Sequence, residues 1–188
     1  MKGSSDMESD AALITGVKAG NKTAMAELVE RYKKVAFRMA LGLVGNRDDA
    51  FDISQEAFLR VYRSAKTFDE SQPFLPWFYT IVQNLCRTWL RKRSRTDRRM
   101  VDLDEVSYLL VDNSNPERDV MRKESVARLR EALMQLSFAD REIITLQHFR
   151  HMTYDEIAQL LDIPKGTVMS RLYYARKRLA ALMEDRHE

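Results

Sequence analysis

The sequence predicts an all-α protein of two small helical domains joined by an acidic flexible linker. Apolar residues recur at helical spacing through most of the 188 residues, only 6 Gly and 4 Pro interrupt them, and an acid-rich stretch separates two basic helical segments. A hydrophobic fraction of 45% suffices for one medium domain or two small ones.

Asn21 is placed to cap a long helix through Ala24, Leu28, Tyr32, Val35, Met39 and Leu43. Asn46, followed by Asp48 and Asp49, opens another, its first-turn carboxylates meeting the positive end of the helix dipole. Ile53, Ala57 and Val61 form its apolar stripe. Past a break at 71–76, a further helix runs from about Trp77 to near Arg93, with Phe78, Ile81, Val82, Leu85 and Trp89 as the buried positions. These helices make a first domain over residues 10–96.

Residues 97–121 read as the linker. Asp102, Asp104, Glu105, Asp112, Glu117 and Asp119 face only Arg118 over residues 100–121, and Asp112–Pro116 is a run of turn formers. Val106–Val111 is the one stretch apolar enough to be a short docked segment instead. A second domain follows over 122–186. Val126, Leu129, Leu133 and Leu136 make one stripe, and Ser137 with Asp140 starts a helix through Ile143, Ile144 and Phe149.

Several function classes are excluded. A single cysteine, Cys86, rules out an internal disulfide framework and a zinc site of several thiolates, and suits a reducing cytoplasm. His148 and His151 lie three apart without a carboxylate or thiol cluster to complete a metal site. There is no phosphate-cradling glycine loop and no nucleophile–base pairing, so no enzyme, metal or cofactor is expected. The polar N-terminal residues lack the apolar run of a signal peptide, and no stretch reaches transmembrane length. A formal net charge of +3 is too small to indicate a partner, so the distribution of charge carries that argument.

Near the C-terminus, Thr153-Tyr154-Asp155-Glu156 has the form of a capping box. The helix it opens carries Ile157, Leu160 and Leu161 and stops near Asp162-Ile163-Pro164. The next helix buries Val168, Leu172, Ala175 and Leu179. Lys165, Thr167, Met169, Ser170, Arg171, Tyr173, Tyr174 and Lys177 are left nearer its outer face. Residues 165–178 contain no acid. Two helices joined by a short turn, the second edged with Ser, Thr, Tyr and Arg, form a major-groove reader; the plainer alternative is a helical hairpin with a solvated basic face.

Two further surfaces stand out. Arg87–Arg99 holds seven basic residues against Asp97 alone, beside an aromatic cluster of Phe68, Phe74, Trp77, Phe78 and Tyr79. Guanidiniums that hold a backbone beside rings that stack on bases suit single-stranded nucleic acid, whereas rings at helical spacing equally suit a core. Asp52, Gln55 and Glu56 share one helix face, either a solvated face or a surface for a basic partner.

In order along the chain, these motifs resemble the extracytoplasmic-function group of sigma-70 family sigma factors. Asp49–Arg60 resembles region 2.2, Phe74–Asn84 region 2.3, Asn84–Arg93 region 2.4, and Thr153–Arg178, including Pro164-Lys165-Gly166-Thr167-Val168, region 4.2. The resemblance implies that Asp52, Gln55 and Glu56 bind the beta-prime clamp helices of core RNA polymerase. It implies that the loop Phe68–Phe74 and Asn84 hold a flipped base of the −10 element, with Arg87, Arg91, Lys92 and Arg93 beside them. It places Lys165, Thr167, Met169, Ser170, Arg171, Tyr173, Tyr174 and Lys177 on −35 duplex DNA. The beta flap and an anti-sigma factor are further implied partners. The implied location is the cytoplasm, at the inner membrane only when an anti-sigma factor holds the chain there.

Departures from the family pattern fall where specificity is decided. Thr88 stands where many relatives have aspartate, and Met169 and Tyr174 where basic residues are common. Tyrosine cannot make the bidentate guanine contact of arginine. Ser137 replaces a frequent proline and caps well. The rival reading, a stand-alone helix-turn-helix regulator, explains residues 122–188 but leaves the first domain without a purpose.

Overall fold

The computed structural model describes residues 9–96, 116–150 and 152–184. These form eight α-helices: α1 (Asp10–Lys18), α2 (Lys22–Val44), α3 (Arg47–Ser64), α4 (Phe74–Thr96), α5 (Pro116–Gln135), α6 (Phe138–Arg150), α7 (Tyr154–Leu161) and α8 (Lys165–Glu184), with one 3-10 turn at Ala65–Thr67. The all-α expectation is met. The predicted caps are in place: Asn21 Oδ1 accepts from the backbone NH of Thr23 at 2.9 Å, and Asn46 Oδ1 from that of Asp49 at 3.0 Å.

Three boundaries differ from expectation. Before Asn21 lies α1, capped by Ser9 and burying Leu13, Ile14 and Val17. It is clamped to α2 by Asp10, which pairs with Arg31 at 2.7 Å and accepts from the Tyr32 hydroxyl. The helix expected from Trp77 begins at Phe74, three residues earlier. The helix expected from Arg122 begins at Pro116, since proline suits the first helical position and its missing NH has no helical partner there anyway. Linker residues 97–115, Val106–Val111 among them, lie outside the described residues.

Packing in the first domain centres on Phe78, fully buried among Tyr32, Phe58 and Phe74 at ring-centroid distances of 5.9, 5.0 and 5.4 Å. The second domain packs Ile143, Leu146, Ile157, Val168 and Leu172 between α6, α7 and α8. The two cores are continuous. Six consecutive α2 residues, Met39–Val44, are all buried. One side faces their own domain, and α6 covers the other. A helix apolar on every side belongs inside a larger body. The two domains are closed on one another.

Candidate nucleic-acid interface

The C-terminal reader is built as its residues dictate. Thr153 Oγ1 accepts from the NH of Glu156, and Glu156 accepts from the NH of Thr153 at 2.7 Å, so the capping box is complete. Asp162 ends α7 in the left-handed region at φ 51°, and Ile163 and Pro164 lead directly into α8. Val168, Leu172 and Ala175 are buried as expected, while Lys165, Met169, Ser170, Arg171, Tyr173, Tyr174 and Lys177 are exposed and Thr167 half-buried. Met169, Tyr173 and Lys177 line a shallow cleft of about 470 Å³ with Tyr154 and Arg176. Arg176, which the sequence offers only as one of the basic residues of this helix, is exposed beside them. Arg178 has another task, since Nε and Nη2 reach the Asp140 carboxylate at 3.0 and 3.3 Å and tie α8 to α6.

The first domain corrects the aromatic expectation. Phe68 and Phe74 are 6% and 3% exposed, packed against Trp77 and each other, so neither has a free face for stacking on a base. At half-burial, Trp77 is the most accessible ring of the cluster. Periodicity misses this because the loop folds back on α1. Lys18 Nζ donates to the Phe68 carbonyl at 2.8 Å and pairs with Glu70 at 2.7 Å. Glu70 is held below the usual carboxylate range chiefly by hydrogen bonds from Lys18 and Thr15, and Asp69 by the backbone NH of Ser71. A cavity of about 920 Å³ opens beside this loop. Phe68, Asp69 and Trp77 line it from one domain, Met152, Glu156 and Gln159 from the other.

Along α4, Asn84, Arg91 and Lys92 are exposed. Arg93 is half-buried, stacked over Trp89 at 4.9 Å and paired with Asp49 at 3.3 Å. Burial pushes the Asp49 carboxyl up, and Arg93 opposes that shift. Arg93 therefore fastens the start of α3, a role the basic run concealed. Arg87 is held by the other domain: its guanidinium lies over the Phe138 ring at 4.9 Å and 3.7 Å from Glu142 Oε2.

On α3, Asp52 and Gln55 are exposed and Glu56 is half-exposed, bonded to Arg60 at 3.4 Å. The same face carries three large apolar residues that sequence reasoning missed: Phe51, Leu59 and Tyr62, 53%, 50% and 54% exposed. At 3.6 residues per turn all six fall within an arc of about 140°. The described residues contain no group of His, Cys, Asp and Glu able to hold a metal ion, and none of their helices is long and apolar enough to cross a membrane. The side chains of His148 and His151 lie outside the described set.

Comparison with known proteins accounts for both halves. The family described as Sigma-70 region 2 matches residues 28–96, and Sigma-70, region 4 matches residues 127–179. The chain is 32% identical over 176 residues to the RNA polymerase sigma-H factor of Pseudomonas aeruginosa, covering 90% of this chain and 91% of that protein. It is 30% identical over 178 residues to the ECF RNA polymerase sigma factor SigW of Bacillus subtilis, covering 92% and 95%. Its fold matches a chain in the structure of CnrH in complex with the cytosolic domain of CnrY, with a TM-score of 0.70 at 24% identity over 95% of this chain and 99% of that one. The chain thus belongs to the extracytoplasmic-function group of the sigma-70 family of RNA polymerase sigma factors.

Proposed function

We propose that this chain joins core RNA polymerase and directs it to promoters by reading duplex DNA at −35 with α8 and opening DNA at −10 with α4. The observation that carries the reading is the coexistence of three surfaces on one chain: the exposed outer face of α8, the basic side of α4, and the acidic and apolar face of α3. Asp52, Gln55 and Glu56, with Phe51, Leu59 and Tyr62, take the beta-prime clamp helices. Asn84 reads a flipped base beside Arg87, Arg91 and Lys92, and Lys165–Lys177 enters the −35 groove. Strand opening in this reading draws on binding energy and asks no catalytic group of the chain. Its place of action is the cytoplasm.

The closed arrangement supports regulation by release. The −10 loop faces α7 across the shared cavity, and Arg87 is engaged by α6, so binding of −10 DNA requires the domains to part. An anti-sigma factor that binds the closed form holds the chain inactive by linkage.

The deciding experiment is run-off transcription with core polymerase on a library of genomic fragments. Initiation at a defined set of fragments, dependent on this chain, is expected. Failure to initiate on any fragment, together with no binding to core, overturns the reading, and promoter binding without core favours a stand-alone regulator.

A further inference from the structure

Glu142 of α6 is only 3% exposed, yet it is a carboxylate placed at the contact between domains. Three donors from α4 converge on it: the Tyr79 hydroxyl at 2.9 Å, the Gln83 amide, and the Arg87 guanidinium at 3.7 Å. Tyr79, Gln83 and Arg87 stand at i, i+4 and i+8, one stripe along a helix, with successive positions about 6 Å apart along the axis. Extended by one more step, the stripe reaches exposed Arg91. A phenol, an amide and a guanidinium aimed at one point make an anion site, because all three donate and none carries negative charge.

A buried carboxylate is a poor way to glue two surfaces together. Apolar residues of the same volume pack such a contact as well or better, because charges lose their hydration on burial. The arrangement makes sense where the donors have a second anionic partner and the contact must separate.

We propose that Tyr79, Gln83 and Arg87 form a phosphate-binding site for the single-stranded −10 backbone, and that Glu142 occupies it as a stand-in for phosphate while the domains are closed. This rests on the promoter-opening role of α4 and adds to it the site and its internal competitor. Removing Glu142 both vacates the donors and weakens the closed form, so free chain gains single-strand affinity. Arg87 takes the phosphate charge, while Tyr79 and Gln83 supply neutral hydrogen bonds. That neutrality separates a built site from a general gain in positive charge.

The test is fluorescence anisotropy of a labelled fifteen-nucleotide oligo-dT strand with the full chain, across a salt series. Glu142→Ala is expected to tighten binding about tenfold. It should also steepen the dependence of log affinity on log salt by about 0.7, the value for one further single-strand phosphate. Glu30→Gln, which removes an exposed charge elsewhere, is expected to give less than twofold. Adding Gln83→Ala to Glu142→Ala, with no change of charge, should remove most of the gain, and adding Arg87→Ala should remove the extra slope. If Glu142→Ala does not fold by circular dichroism, Glu142→Gln is read in its place. A gain no larger than that of Glu30→Gln, or one indifferent to Gln83→Ala, overturns the proposal. No polymerase is present, so this outcome is independent of run-off transcription: a gain with neither initiation nor core binding keeps a single-strand phosphate site and removes the proposed promoter role, and initiation without a gain does the reverse.

Discussion

Gly42 of α2 faces Thr145 of α6 with no room between them for a side chain: a Cβ at position 42 would lie 2.7 Å from the Thr145 methyl carbon and 2.8 Å from its hydroxyl oxygen. Thr145 is buried, and its hydroxyl is held by the Arg141 carbonyl at 2.7 Å, so it cannot turn aside cheaply. Gly42→Ala should strengthen α2 locally by up to about 1 kcal/mol while overpacking the contact by about 1–3 kcal/mol. The expected net result is opening of the domains, read as a larger radius of gyration by small-angle X-ray scattering. Thr145→Ala in the same chain should restore compactness. A single variant as compact as the parent would show that the contact yields.

Arg178 and Arg176 sit two residues apart on α8 and should behave oppositely. Arg178→Ala leaves Asp140 buried without its guanidinium and should lower stability by roughly 1.5–3 kcal/mol in urea denaturation. Arg176→Ala, at an exposed position, should stay within about 0.5 kcal/mol of the parent and weaken duplex −35 binding. Equal effects of the two variants on stability would contradict these roles.

The α3 face gives a partner-specific prediction. Phe51→Ala, Leu59→Ala and Tyr62→Ala should each reduce affinity for core polymerase by about tenfold, or ~1.4 kcal/mol, with thermal stability nearly unchanged because each side chain is about half exposed. Surface-plasmon titration of core polymerase against the variants measures this. Unaltered affinity in all three would move the polymerase contact elsewhere.

Asn84 is exposed on α4, and its carbonyl accepts from the Thr88 hydroxyl at 2.8 Å. Asn84→Ala should impair promoter opening, followed by permanganate reactivity at −10, by about tenfold while changing core binding less than twofold. Equal losses in the two measurements would count against a base-reading role.

Burial pushes the Cys86 thiol up to about 12 from an ordinary 9.0. Tyr79 is raised well above 10.0, first by burial and then by the charge of Glu142. The folded chain keeps both protons where the unfolded chain has released them, so stability falls as pH rises. These contributions are complete below about pH 9 and are lost as pH rises above it. Cys86→Ala should flatten the decline between pH 9 and 12 in urea midpoints, and Tyr79→Phe should flatten it from about pH 10 upward. A slope unchanged by Cys86→Ala would show that the thiol is solvated.

Much of this was legible in the residues. Asn21, Asn46 and Thr153 act as caps because an oxygen two or three residues ahead of a free NH needs only local chain geometry. Most of α8 was readable for the same reason, Val168, Leu172 and Ala175 being buried as the helical period requires, while Leu179 and Thr167 are half-buried rather than buried and exposed. One signal for domain closure was present and went unread: Met39–Val44 is apolar on every side, which calls for a second covering surface. The short α1 was missed too, since three apolar positions make a weak period without the α2 surface that buries them.

What the sequence determined by itself was the all-α class, the helix caps, the order of the sigma motifs and the face that α8 presents, because each depends on neighbours within a turn or two. Tertiary structure decided which of the chemically similar residues are free to act. Among the rings it buried Phe68 and Phe74; among the arginines it committed Arg93 to Asp49 and Arg178 to Asp140, and set Arg87 against Glu142. Such assignments depend on partners as many as 55 residues away, here from Arg87 to Glu142, and no local period encodes them. A guanidinium pairs with whichever carboxylate the packing of apolar faces brings within reach.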